Sequence, residues 1–167
     1  GWAFDPDAKR DTRINIVRLH DDRNRFDPVY QAALAAAGFD ADGLYTSAVT
    51  GGHAVLCAGC HASEALPGSG RAGIAPLTQA IHGRHAGVID PTTNLALDAS
   101  TNRGACYRCH PGSETRCLRG AMGAAVAPDG SLAMQCQSCH GTMSAVAAPN
   151  RTGWLDAPSC QNCHSGT

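Results

Sequence analysis

The chain has 167 residues, enough for one domain or compact module, and its 13 basic and 14 acidic side chains nearly cancel. That balance argues against a nucleic-acid or membrane-surface partner, and no apolar run reaches the roughly 18 residues a membrane span needs. Twelve arginines stand beside the single Lys9, Glu64 and Glu114 are the only glutamates, and Phe, Trp and Tyr total eight against 28 Gly and Pro, which excludes a bundle of long exposed helices and a conventional apolar core.

The opening GWAFDPDAKR is not a charged start followed by an apolar run, so the chain is expected to be a mature or trimmed product. Residues 1–50 read as an N-terminal arm. In NIVRLHDDRN, Ile14, Val17 and Arg18 give a weak helical face, and Asp21 or Asp22 is placed to orient the His20 imidazole. DPVYQAALAAAGF predicts a helix over 28–37, with Asp27 as N-cap, Pro28 at the first position and Gly38 as the stop. DADG (40–43) is a turn. The aspartates at 21, 22, 27, 40 and 42 lack a calcium-loop pattern and read as solvated turns, with calcium the minor reading.

From residue 51 the cysteines set the pattern. Eight of nine fall in four repeats: CAGCH (57–61), CYRCH (106–110), CQSCH (136–140) and CQNCH (160–164). C-x-x-C-H is the attachment signature of c-type haem. The thiols Cys57, Cys60, Cys106, Cys109, Cys136, Cys139, Cys160 and Cys163 would bond the vinyl groups of four haems, and His61, His110, His140 and His164 would be the proximal iron ligands. Zinc knuckles use paired C-x-x-C but need no histidine after each pair. Histidine is 8 of 167 residues, so four such coincidences come to about 1 in 200,000. Disulfide staples would leave those histidines idle, and thioredoxin-type chemistry needs an alternating strand–helix pattern that is missing. Four porphyrins would supply the missing interior. The expected fold is therefore short α-helices and irregular loops wrapped around a haem chain, with little or no β-sheet, as one module over 1–167 whose haem-binding region is 51–167.

The first gap, 62–105, contains PLTQAIHGRHAG. Pro76 suits a helix start, Leu77 and Ile81 share a face, and Gly87 can end it. His82 and His85 lie side by side on such a helix, so they cannot grip one iron from opposite faces and should serve two different irons. Gly83 would admit a closely approaching haem. The gaps of 25 and 19 residues that follow leave room for one short helix or loop each.

Four histidines remain as distal ligands: His20, His53, His82 and His85. Met122, Met134 and Met143 are the competing soft ligands, and His/His ligation would keep the potential low. His53 is too near Cys57 to reach round to its own motif's haem, and a neighbouring one suits it better. His20, far from every motif, is the preferred ligand for donation to another subunit. Arg84, Arg103, Arg108, Arg116, Arg119 and Arg151 are placed to pair with haem propionates. Cys117 reads as a small buried apolar residue, with an intermolecular disulfide as the sharper reading.

The four motifs resemble those of multihaem c-type cytochromes over residues 57–164. The run CYRCHPGSETRCLRGAM…CQSCHGTMSAV…RTGWLDAPSCQNCH is similar to C-terminal haem modules of large secreted bacterial cytochromes, in which Cys117 is also part of the pattern. Size and haem count resemble the filament-forming outer-surface tetrahaem cytochromes of bacteria and archaea. That resemblance implies an extracellular or cell-surface electron conduit, with periplasm as the alternative. Its subunits would stack with copies of themselves, and a histidine of one would ligate a haem of the next. A soluble shuttle would commonly carry a lysine-rich docking face, and this chain has one lysine. A multihaem reductase needs an iron with an open sixth position, which the histidine count does not offer. A haem-bearing subunit of a larger membrane complex is the third class. An enzyme is thus the lesser expectation, and the partners expected besides self are redox proteins or extracellular acceptors.

Overall fold

The computed structural model describes residues 1–110 and 121–150. These form short helices and loops, and no sheet occurs among them; Ser63–Leu66, Ile89–Ala96 and Val126–Leu132 are isolated bridges. The helices are α1 (Ala8–Asn24), α2 (Pro28–Ala37), α3 (Leu44–Val49), a 3₁₀ turn at Cys57–Gly59, α4 (Leu77–His85), α5 (Arg103–Tyr107), α6 (Ala121–Ala124), α7 (Cys136–His140) and α8 (Met143–Val146). No described helix is long and apolar enough to cross a membrane. The chain divides into two compact units, Gly1–Leu77 and Thr78–Thr167. The boundary lies well past residue 50, so the N-terminal segment shares a unit with the first motif.

In the first unit α1 is longer than the weak face around Ile14 suggests. Asp7 caps it by accepting from the backbone N–H groups of Lys9 and Arg10, and Ile14 is its buried apolar residue. Before it, Asn15 clasps the backbone of Ala3, accepting from its N–H at 2.9 Å and donating to its carbonyl at 3.0 Å. Helix α2 has the predicted bounds, with Asp27 accepting from Val29 N–H and Gly38 closing it at φ 73°. The apolar core of this unit is Ile14, Ala33, Leu34, Leu44 and Ala58.

A polar latch joins α1 to the start of α3. The buried Asp21 carboxylate accepts from Tyr30 Oη, Leu44 N–H (3.1 Å) and Tyr45 N–H (2.8 Å). Gly43, at φ 122°, lets this happen: a Cβ there would stand 2.5 Å from Asp21 Oδ2. Burial, then the bond to Asp21, pushes the Tyr30 hydroxyl far above its ordinary pKa.

In the second unit α4 covers the predicted HGRH helix and ends at His85. Gly83 lies beside the Ala147 methyl that follows α8, where a Cβ at Gly83 would make an ordinary contact at 3.4 Å. The described parts of the two later gaps hold one four-residue helix each, α6 and α8. The buried residues here are Ala86 and Ala105 with Asp90, Asn102 and Gln137. Asp90 sits in a turn whose Asn94 has φ 56°, and it accepts from Thr92 N–H, Arg108 and Asn102.

Candidate functional site

Each described C-x-x-C-H motif closes into one helical turn. His61 N–H donates to Cys57 O at 2.9 Å, and His110 N–H donates to Cys106 O at 2.9 Å. The third motif is itself α7. Cysteines three apart on such a turn project from one side, and the following histidine stands beside them. The fourth motif (Cys160, Cys163, His164) and Cys117 lie outside the described residues, as do Arg116, Arg119 and Arg151.

Two of these motif histidines face a spare histidine. In the first unit the His20 and His61 rings have centroids 6.2 Å apart with planes at 83°. In the second, His82 and His110 have centroids 6.1 Å apart with planes at 13°. Two imidazoles bound to opposite sides of one metal, at about 2 Å from metal to nitrogen, place their centroids about 6 Å apart. Both separations are compatible with that spacing. His82 faces His110 from α4, whereas His53, His85 and His140 face no second described imidazole. His53 and His85 are exposed and His140 is half-buried.

The hydrogen bonds also fix which nitrogen is available. Nδ1 of His61 lies 2.7 Å from Ala75 O, that of His82 lies 2.8 Å from Thr78 O, and that of His85 lies 2.8 Å from Ile81 O. A carbonyl only accepts, so each Nδ1 carries the proton and each Nε2 presents its lone pair. A backbone carbonyl behind the ring is the usual support of a metal-ligating histidine. Burial, then the neighbouring His61, lowers the His20 pKa, against the opposing pull of Asp21. The neutral, ligating form is favoured.

Several expectations change here. Asp21 does not orient His20; its carboxylate is taken by the latch, and His20 Nδ1 is buried with no hydrogen-bond partner. Asp22 pairs with Arg25. The His20 ring lies beside His61 of its own chain. Arg103 donates to the carbonyls of Gly123 (3.2 Å) and Met134 (3.0 Å), and Arg108 binds Asp90 and Thr92, so both guanidinium groups hold the second unit's own loops. Arg84 is exposed. Met134 and Met143 are half-buried.

The residues that sequence reasoning missed join the second and third motifs. Gln137, inside CQSCH, donates to Asn102 O at 2.8 Å and Ala99 O at 3.2 Å. Gln135 Oε1 accepts from Arg103 N–H at 3.1 Å. Burial, then Cys136, pushes the Cys106 thiol up to about 11. The sequence signal was a glutamine between the motif cysteines, which has no meaning until its distant partners are known.

Apolar side chains beside the motifs remain open. Leu56, next to Cys57, is 63% exposed, and Ile89, in the turn that carries Asp90, is 54% exposed. Among the described residues no three His, Cys, Asp or Glu side chains converge to hold a metal ion by themselves. Two histidines do not complete a metal site by themselves, so a metal bound at either pair would need further ligands. No family model matches the chain, and neither does any curated protein or solved structure.

Proposed function

We propose that the chain is an electron-transfer protein that holds four c-type haems, one at each C-x-x-C-H motif, with bis-histidine iron ligation. The observation that carries this reading is the pair of facing imidazoles, His20 with His61 and His82 with His110, at 6.2 and 6.1 Å. A porphyrin supplies the four equatorial nitrogens that those two-donor sites lack, and its iron supplies a one-electron couple. The chain's own residues hold and orient it. Paired thiols on a helical turn bond its edge, carbonyl-braced imidazoles meet its iron, and open apolar residues such as Leu56 and Ile89 cover its faces.

The reading extends to a conduit built from many copies. The filament resemblance supports it, and so does the single lysine, which offers no lysine-rich docking face. With His20 facing His61, the ligand for a neighbouring copy passes to His53, exposed on the loop after α3. Intact mass of protein from a host with a c-type haem attachment system tests the function, with four covalent haems expected; a chain with unmodified thiols would overturn it. Electron micrographs test the assembly: filaments are expected, and single particles across salt and pH would contradict them.

A further inference from the structure

The packing of α7 on α5 brings two different attachment motifs together, with Cys106 on one helix and Cys136 at the start of the other. It is not a loose approach of side chains, because the backbones are fastened together. Gln137, buried within the third motif, donates to two carbonyls of the loop leading into α5, at Asn102 (2.8 Å) and Ala99 (3.2 Å). In return Arg103, the first residue of α5, donates its N–H to Gln135 Oε1 at 3.1 Å and its side chain to Met134 O at 3.0 Å. Ala105, beside Cys106, is buried in this seam, and its small side chain lets α5 and α7 approach.

We infer that the second and third haem sites are neighbours held together by the α5–α7 seam, with Gln137 and Arg103 as the positioning residues that set the gap. The inference rests on the reading of the motifs as haem sites and goes beyond it by ordering two of them. A thioether sulfur is one bond from the porphyrin's side-chain carbon. Each haem would therefore be tied through a single carbon to one of two turns that are themselves fastened together. The Gln137 bonds are made to backbone carbonyls, so they fix the distance between the turns whatever the surface side chains do.

The test is electron paramagnetic resonance of the oxidised holoprotein in a chain without the fourth attachment site (Cys160→Ala with Cys163→Ala). The expected spectrum has its strongest spin coupling between two haems. Removing the third site as well (Cys136→Ala with Cys139→Ala) should abolish that coupling, whereas removing the first (Cys57→Ala with Cys60→Ala) should leave it. Coupling that survives loss of the third site, that disappears with the first, or that is absent throughout overturns the pair. Gln137→Met in the otherwise unchanged chain guards against misfolded deletions. It should keep all four haems by intact mass while the coupling falls several-fold; unchanged coupling would remove Gln137 from the account. A wild-type chain with no haem adducts would fail the functional reading itself, whereas a full complement with the wrong coupling fails only the pairing.

Discussion

Between Gly1 and Leu77 the buried residues include Ile14, Leu34 and Leu44, while from Thr78 onward the described ones are Ala86, Ala105, Asp90, Asn102 and Gln137. Burying a leucine contributes about 1.5–3 kcal/mol, and a typical hydrogen bond a net of about 0.5–1.5 kcal/mol. The first unit thus has a small apolar core of its own, centred on α1, α2 and α3. The second is tied by side chain-to-backbone bonds around alanines, an arrangement that encloses little apolar surface among its described residues. Under the proposed function the difference has a physical meaning: the later motifs, at gaps of 25 and 19 residues, leave too little chain for a core, and the cofactors take its place.

The largest break in this comparison is removal of the cofactors. A chain with the motif cysteines replaced by alanine should be cut by protease first within 78–150, with α1, α2 and α3 protected. Equal loss of both regions, followed by mass mapping of the fragments, would erase the distinction. Next in size, Leu34→Ala removes the most enclosed apolar side chain of the first unit, at 2% exposure. It should cost about 3 kcal/mol in a denaturant titration and leave the His82–His110 site spectroscopically unchanged. Tyr30→Phe, which strips one bond from Asp21, should cost about 1–2 kcal/mol in the same unit.

A pH titration probes the second unit through Asp90. Thr92 N–H, together with Arg108 and Asn102, holds its carboxyl down to about 2 against the opposing effect of burial. A depressed carboxyl stabilises the fold fully above its ordinary pKa of about 4, and that contribution is lost as pH falls through about 2. Circular dichroism should therefore show the 88–108 region loosening in that interval. Asp90→Asn should flatten the acid step, and an unchanged step would assign it elsewhere.

Local signals explain what the sequence made legible. Asp27, Pro28 and Gly38 bound α2 because caps act within one turn, and C-x-x-C-H specifies its own turn by spacing. The α4 helix followed from Pro76 and the apolar spacing in the same way. The Asp21 latch, the Asp90–Arg108 pair and the Gln137 bonds were not legible, because each joins residues from 9 to 38 positions apart. Glycine shows both sides of this. Gly83 reads as a close-approach position, and the neighbour the coordinates place beside it is the Ala147 methyl. The histidine count suggested distal ligands, whereas which rings lie near one another, His20 with His61 and His82 with His110, required coordinates.

The most direct test of the central claim uses the angle between ligand planes. The His20 and His61 rings cross at 83°, whereas the His82 and His110 rings are within 13° of parallel. A ferric haem between crossed imidazole planes gives a strongly anisotropic low-spin resonance, distinct from the rhombic one of parallel planes. Low-temperature paramagnetic resonance of the oxidised holoprotein should contain that strongly anisotropic component. His20→Ala should remove one equivalent of it and leave one reduced iron that binds carbon monoxide, while His82→Ala should leave it in place. A spectrum without the component, or one in which it survives His20→Ala undiminished, would contradict the account.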